Sequence, residues 1–412
     1  MPRNPASFPR SLCFVALLAA CGAAAEPAAR ATVRDSAGVT IVENPGDTGA
    51  VPRWAVSEPE VLIGGRPEEP AYDFNQVRWA ARISDGRLLV IDGATAELRE
   101  YDATGGFLRT LARRGDGPGE LRRPLGPWLL PGDTLEIPDS QTRRISRFSP
   151  DGTFLTSVGY DRRLEERVFA NPIGRGGDGR LLSQVSRFED LDGQLGQEGW
   201  DTWTLTAADA EGGLDTLVTM NAMYGYVRQA VEGDAAFLTR TPMPFGPAGR
   251  YRIAGGLLYT GVTSAMQVDE RDAAGRLLRS IRVAWPARPV GAEDREAWRE
   301  WQLANLANWR NAPPRLRDQE LERIEQSPFA EVYPAYTVFD IGTTGEVWIE
   351  LSRRPGDEVR QYLVLDAGGR VAGRVTLPPR VRPWQFGPDR IVAVARDDED
   401  VEYLAVYRIL RI

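Results

Sequence analysis

The feature that most constrains the fold is a pair of consecutive segments that repeat each other, beginning at residue 85. Asp92 matches Asp139, Tyr101 matches Phe148 and Gly105 matches Gly152, always 47 residues apart. Each copy has a short apolar run, an Asp-led turn, an alternating strand ending in an aromatic residue, a Gly turn and another strand. Repeats of this length are typical of stacked or radial arrays. Four antiparallel strands per copy predict one blade of a β-propeller.

The same order of strand and turn signals continues more loosely along the chain. It predicts an all-β fold, a six-bladed β-propeller, with five or seven blades as the alternatives. An Asp whose side chain caps the turn and a Gly with positive φ explain the recurring turns between strands. The predicted units cover about 78–123, 124–168, a third from Gly177, about 236–284, a fifth from Gly345 and a sixth from Asp389.

Two strand signals precede the first complete repeat, at Gly38–Val42 and Glu60–Gly64. They have no blade of their own. Such leading strands commonly complete the last blade of a propeller, which removes the open edge of the ring. We therefore expect N-terminal strands to close this ring.

Residues 292–327 break the strand pattern. Acidic residues begin the segment, helix formers fill it and prolines follow each half, so it predicts two helices inserted between blades four and five. At helical spacing Trp298, Trp301 and Trp309 share one face with Asn305. This face either packs on the propeller or forms a lid or docking surface.

The first residues predict export. Residues 1–20 contain two arginines and a short apolar run, as secretory signals do, and the run is too short to span a bilayer. Leu18-Ala19-Ala20-Cys21 resembles the lipobox of bacterial lipoproteins, which implies cleavage before Cys21 and lipidation of its thiol. The alternative is an ordinary signal peptide. We expect a flexible tether at 21–36 and the propeller at 37–412.

The side-chain inventory excludes several chemistries. The chain has no His, its 50 basic residues are all Arg, and its two cysteines are Cys13 and Cys21. Serine-histidine triads, His or Cys zinc sites and lysine Schiff bases are therefore excluded. A formal net charge of -8 makes nucleic acid an improbable partner, because its phosphates are also negative.

The repeats resemble the NHL-type six-bladed propellers of bacterial envelope lipoproteins. The segment Leu111–Leu121 followed by Pro124 is similar to that family's inter-blade signature, and Leu135–Ser140 with Arg144–Phe148 to its blade core. The specific match covers about a quarter of the chain. It implies a lipid-anchored protein of the cell envelope that faces the periplasm. Gly22 after the predicted lipidated Cys21 does not resemble the Asp-type retention signal of some bacteria, which favours the outer membrane.

Propellers usually bind at the mouth of their central channel, where loops lead into the innermost strands. By repeat position these loops are Phe74–Arg78 and Ala170–Pro172. Asn75, Arg78 and Asn171 are therefore the candidate binding residues. Alternatively, their side chains satisfy backbone groups between blades.

Three functions are compatible with the sequence. The preferred hypothesis is a binding or scaffolding module for an envelope protein or a small ligand, with no cofactor. The alternative is a metal-dependent lactonase or gluconolactonase-like hydrolase, in which Glu, Asn and Asp hold a divalent cation that activates water. A purely structural envelope component is the third. The fold does not decide among them.

Overall fold

The structure is a computed structural model that describes residues 30–46, 51–161, 163–165, 168–187, 191, 193–208, 213–232, 235–309 and 312–411. Cys21, the predicted signal and most of the predicted tether lie outside these ranges. The described residues form five hydrogen-bonded β-sheets that surround a central cavity, together with a helical segment. The predicted all-β class is confirmed.

The first two sheets correspond to the two sequence repeats. Each is an antiparallel meander of four strands. The first sheet contains Val77–Arg82, Leu88–Asp92, Glu97–Tyr101 and Phe107–Ala112, and the second contains Trp128–Leu129, Leu135–Asp139, Arg144–Phe148 and Phe154–Gly159. Short 3-10 helices at Pro70–Tyr72 and Pro131–Asp133 accompany them.

The matched aspartates of the repeats make matched hydrogen bonds. Asp92 accepts the backbone N–H groups of Ala94 and Thr95, both at 2.9 Å, on one oxygen and that of Asn75 at 2.9 Å on the other. Asp139 caps its own turn in the same way and ties it to the preceding connection through the N–H groups of Arg122 and Arg123, at 2.6 and 2.8 Å. Buried carboxylates thus hold equivalent turns in both sheets.

The turns after the third strands also follow the prediction. Asp102 accepts the N–H of Thr104 at 2.8 Å and that of Gly106 at 2.9 Å. Gly105 has a φ of +95°, which a residue with a Cβ rarely adopts.

The third sheet is a six-stranded antiparallel meander and differs from the prediction. Its last strand was expected to begin a fourth unit near residue 236. Instead it pairs with the 19-residue strand before it, from Gly225↔Pro242 to Glu232↔Ala235. This antiparallel pairing keeps the strand in the third sheet. The strands are Arg163–Glu165, Val168–Arg175, Leu181–Arg187, Glu198–Ala208, Leu214–Glu232 and Ala235–Pro242.

The fourth sheet carries the first N-terminal strands on its outer edge, which corrects the expectation that both leading signals close the ring. Val39–Asn44 pairs in parallel with the last strand of the sheet. The Asn44 amide donates to the carbonyl oxygens of Arg282 and Gly369, at 3.1 and 2.9 Å, which fixes this strand between two sheets. The order is Thr32–Ser36, Val39–Asn44, Leu277–Val283, Gln267–Arg271, Leu257–Val262 and Gly249–Ala254.

The fifth sheet has eight strands and joins the two ends of the described chain. Arg53–Gly64, which contains the second leading signal, pairs antiparallel with Glu402–Arg411 and meets Val371–Thr376 in parallel at two residue pairs. An N-terminal strand therefore completes this sheet, as predicted. The order is Tyr336–Ile341, Val347–Leu351, Gln361–Leu365, Val371–Thr376, Arg53–Gly64, Glu402–Arg411, Arg390–Arg396 and Val381–Phe386.

The apolar core lies between neighbouring sheets. One cluster joins Tyr259 and Ile281 of the fourth sheet to Phe339 of the fifth. Within the fifth sheet, the rings of Trp348 and Phe386 are stacked, with centroids 4.4 Å apart and planes 15° from parallel. Both side chains are buried, so aromatic packing holds its two halves together.

Two helices occupy the segment predicted to be helical, at Ala292–Ala307 and Pro314–Gln326. Trp298 is buried edge-on against Phe329, with centroids 5.2 Å apart. Trp301 and Trp309 are 43% and 45% exposed, so the predicted tryptophan face packs only in part. No helix within the described ranges has the length and apolar character needed to cross a membrane.

Candidate functional site

A cavity of about 1320 Å³ lies at the centre of the ring. Its walls come mainly from one strand of each meander, the strand that lies nearest the centre. The strands that contribute are Val77–Arg82, Trp128–Leu129, Val168–Arg175, Gly249–Ala254, Tyr336–Ile341 and Val381–Phe386.

The cavity wall is rich in large apolar side chains. Trp79, Trp128 and Trp384 contribute to it, together with Tyr251 and Ile253. All five are half-buried, so part of each ring or chain faces the cavity. Such a wall suits the apolar body of a small molecule.

Side chains of the fourth sheet hold its inner strand against the inner strand of the fifth sheet. Arg250 donates to the carbonyl oxygen of Thr337 at 2.7 Å, and Arg252 forms an ion pair with Asp340. Burial lowers the pKa of Arg250. The ring of Tyr251, between these two arginines, packs on Trp203 of the third sheet, with ring centroids 5.6 Å apart. Alternation along one strand therefore ties it to both neighbours.

One mouth of the cavity is formed by the turns that follow the inner strands. There Asp133 accepts hydrogen bonds from both the backbone N–H and the hydroxyl of Ser84. This bond joins the first and second sheets.

The other mouth holds a buried glutamate. Glu350 is 2% exposed and accepts hydrogen bonds from Arg360 at 2.6 Å and from the Tyr362 hydroxyl at 3.2 Å. The guanidinium of Arg353 lies 3.6 Å from the same carboxylate. The desolvation cost of burying Glu350 is thereby offset by paired charges.

A second buried glutamate lies between the first and fifth sheets. Glu402 accepts the N–H of Val77 at 2.7 Å and a hydrogen bond from Arg396 at 2.6 Å. Val77 is the first residue of an inner strand, so Glu402 fixes the beginning of that strand at the ring closure.

Arg382 lies on the cavity wall between these glutamates. Its guanidinium carbon is 4.4 Å from the centroid of the Trp384 ring. Within the described ranges, no hydrogen bond joins the Arg382 guanidinium to another residue. Partial desolvation inside the ring lowers the pKa of Arg382. The like charges of Arg360 and Arg396 lower this pKa further, and their effect exceeds the opposing effect of Glu402 and Glu350.

We call Arg353, Arg360, Arg382 and Arg396 the arginine cluster. Its four positive charges face two carboxylates, those of Glu350 and Glu402. The local charge is therefore positive, although the formal charge of the whole chain is -8.

The predicted site residues lie near the inner strands but do not line this cavity. Asn75 is exposed, and its backbone N–H donates to Asp92. Arg78 is half-buried in the strand Val77–Arg82. Asn171 lies within the strand Val168–Arg175 opposite Gln184, not in a loop as expected.

Neighbouring positions of the same two strands do reach the cavity, namely Trp79 and Ile173. The sequence therefore indicated two of the strands that form the wall but not the side chains that face the cavity. The arginine cluster was missed. It lies in the fifth sheet, where the repeat is weakest and where Pro383 interrupts the strand pattern.

The alternative hydrolase would need several carboxylates that converge on one point. Across the described ranges, no three His, Cys, Asp or Glu side chains come together in a way that could hold a metal ion. Of the cavity carboxylates, Asp340 is paired with Arg252 and Glu350 with Arg360. These residues do not fit a divalent cation site.

Solved structures resemble this chain in fold. A protein of Bacteroides fragilis described as exported has a TM-score of 0.50 at 13% identity, over 90% of this chain and 99% of that one. A member of the DUF4221 family from Bacteroides vulgatus has a TM-score of 0.50 at 8% identity, over 88% and 99%. At such identities the likeness shows the fold alone, which is β-propeller-like. No family model and no curated protein matches the sequence.

Proposed function

We propose that this chain is a six-bladed β-propeller of the cell envelope that binds a small ligand in its central cavity. The observation that carries the proposal is the cavity of about 1320 Å³, walled by tryptophans and open to Arg382, which has no hydrogen-bond acceptor among the described residues. Ligand sites are typically concave and mostly apolar, with a few polar groups that fix orientation.

The proposed count of six rests on dividing the eight-stranded sheet at its N-terminal strand. Arg53–Gly64 separates a meander that ends at Val371–Thr376 from one that begins at Val381–Phe386. These two meanders, with the four other sheets, give six. The similarity of Leu111–Leu121 to the NHL inter-blade signature supports the same count.

The location rests on the N-terminal sequence. Leu18–Cys21 has the residues of a lipobox, so we propose lipidation of Cys21 and an outer-membrane anchor facing the periplasm. Metabolic labelling with a palmitate analogue tests this. Labelling of the native chain that is lost in Cys21→Ser supports the anchor, and an unlabelled native chain contradicts it.

Ligand binding is tested by the thermal unfolding of the full-length chain against a library of small molecules. A ligand at 100 times its dissociation constant stabilises a protein by about 2.7 kcal/mol, which raises the unfolding midpoint. Thr337→Trp places a large ring inside the cavity and narrows it, because Thr337 is exposed on its wall. We expect compounds that stabilise the native chain to lose their effect in Thr337→Trp.

Thr156→Trp is the matched control, because Thr156 is exposed on the outer strand Phe154–Gly159. Compounds should stabilise this variant as they do the native chain. Stabilisation that persists in Thr337→Trp, or a library without a stabilising compound, would contradict binding in the cavity. If calcium raises the midpoint of thermal unfolding and EDTA reverses this rise, the metal-dependent hydrolase would be favoured instead.

A further inference from the structure

Arg382 differs from Arg252 and Arg360, two other arginines of the cavity wall, because no carboxylate in the described part of the chain pairs with it. Arg252 is paired with Asp340, and Arg360 with Glu350 at 2.6 Å. Arg382 has the Trp384 ring as its neighbour and no hydrogen-bonded carboxylate within the described ranges. An aromatic face favours a cation but leaves its N–H donors free.

Those donors can reach a ligand. Arg382 is exposed although it lies inside the ring, so its free edge faces the water of the cavity. Guanidinium is planar and presents parallel N–H groups that match the two oxygens of a carboxylate or a phosphate. Stacking on Trp384 also limits the orientations of the group, which lowers the entropy lost on binding.

The surroundings favour an anion further. The guanidinium groups of Arg360 and Arg396 act on Arg382 more strongly than the carboxylates of Glu402 and Glu350 do. A bound anion would relieve the repulsion among these arginines. Because concave walls strengthen electrostatic interactions, the benefit is larger here than on an open surface.

The other side chains of the cavity wall indicate the chemical character of the rest of the ligand. Trp384 lies beside Arg382, and Trp79 and Trp128 lie on other inner strands. A ligand that bridges these groups needs an apolar body attached to its charged group. A bare inorganic anion would leave the tryptophans without a contact.

We infer that Arg382 binds the oxyanion of a small organic acid, a carboxylate or a phosphate ester, whose apolar body contacts the tryptophans of the cavity. This inference rests on the proposed ligand-binding function and specifies the ligand's chemical class. Arg382 is thus the residue that selects anions over neutral molecules of the same shape.

Isothermal titration calorimetry on the full-length chain at low ionic strength tests this inference. The probes are 4-phenylbutyrate, its neutral isostere 4-phenylbutanamide, and phenyl phosphate. We expect at least one anion to bind roughly 10- to 100-fold more tightly than the amide, as charge-assisted hydrogen bonds allow. Binding of the anion should weaken as salt is added. The stronger anion identifies the headgroup as carboxylate or phosphate.

Arg382→Gln should reduce anion binding to the level of the amide while leaving the amide unchanged. Arg380→Gln is the matched control, because Arg380 pairs with the exposed Asp398 and Asp400 away from the cavity. It should keep the preference for anions.

The outcomes separate the two proposals. If the amide binds the native chain as tightly as both anions, the inference about Arg382 is wrong and the cavity still binds ligands. If anion preference survives in Arg382→Gln, another arginine carries it and the inference is also wrong. If none of the three compounds binds, the inference about Arg382 is overturned, whereas the proposed ligand-binding function is decided by the library screen. The comparison within the native chain remains decisive even if Arg382→Gln does not fold.

Discussion

The side-chain amide of Gln385 pairs with the backbone of Arg82 as a neighbouring strand would. Its oxygen accepts the Arg82 N–H at 2.9 Å, and its nitrogen donates to the Arg82 carbonyl oxygen at 3.1 Å. The two residues are 303 positions apart and lie on the inner strands of the fifth and first sheets. A single amide therefore joins the two ends of the ring at its inner wall.

Replacing this amide should weaken the ring closure. Gln385→Ala removes two hydrogen bonds, each of which contributes about 1 kcal/mol in a partly exposed site. We expect the free energy of unfolding to fall by about 1–2 kcal/mol in urea titrations, with an unchanged denaturant slope. Gln361→Ala, at the exposed start of its strand, is the control and should have little effect. Equal effects of the two substitutions would contradict a closing role for Gln385.

Asp92 and Asp139 should be equally important for stability. They are 0% and 1% exposed and accept several backbone N–H groups each. Alanine at either position leaves buried donors without acceptors, so we expect a loss of about 3 kcal/mol or more in the free energy of unfolding. Asp151→Ala, in an exposed turn, should cost about 1 kcal/mol or less. A mild Asp139→Ala beside a severe Asp92→Ala would show that the repeats are not equivalent.

The stability contributed by Asp294 should depend on pH. Burial raises its pKa, but the surrounding groups, among them the N–H of Gly291 and the guanidinium of Arg354, together outweigh burial and hold the pKa below its ordinary value of 3.8. The carboxylate therefore stabilises the fold above about pH 4, and this contribution is lost as pH falls through the lowered pKa. Asp294→Asn should cost about 1–2 kcal/mol at pH 7.

The measurement is urea unfolding of the native chain and Asp294→Asn at pH 7 and pH 3. The difference between them should shrink at pH 3, because this pH lies below the ordinary pKa of 3.8, so the Asp294 carboxyl of the unfolded chain is largely protonated there. Glu293→Gln is the control, since this side chain is 85% exposed although it also pairs with Arg354. A difference that is the same at both pH values would contradict the assignment.

The stacked rings of Trp348 and Phe386 in the fifth sheet should contribute strongly to the free energy of unfolding. Phe386 is 2% exposed and lies on Trp348, so Phe386→Ala creates a cavity and should cost about 3–5 kcal/mol. Phe386→Leu keeps most of the apolar volume and should cost less. Phe237→Ala, at a side chain that is 45% exposed, should change the midpoint of thermal unfolding little. A mild effect of Phe386→Ala would show that the two halves of the sheet are held by other contacts.

Local signals predicted much of the fold. The Asp92 and Asp139 turns could be read from the repeat because each side chain bonds to backbone within a few residues of itself. The helices at Ala292–Ala307 and Pro314–Gln326 were predictable for the same reason, since acidic starts and proline ends act locally. The ring closure by Arg53–Gly64 followed from the need to cover an open edge.

Long-range pairing was harder to predict. Val39–Asn44 could join any sheet with a free edge, and the amide of Asn44, which selects the fourth sheet, gives no signal in the sequence. The cavity residues Glu350 and Arg382 lie on two strands and Arg360 directly precedes a third, and these strands meet only once the ring is formed. Their arrangement depends on which side of each inner strand faces the centre, and irregular pairing between Pro383 and Gln385 shifts that alternation.

The strand Arg53–Gly64 also bears on how fast the protein can fold. It pairs with Glu402–Arg411, so nearly the whole sequence separates the partners. Loop closure over such a distance is slow, because its entropy is lost before the contacts form. During synthesis Arg53–Gly64 is made long before Glu402–Arg411, so its backbone groups stay without this partner until the intervening sheets have formed. The contact that completes the ring is thus the one that leaves the chain longest open to proteases and to pairing with other chains.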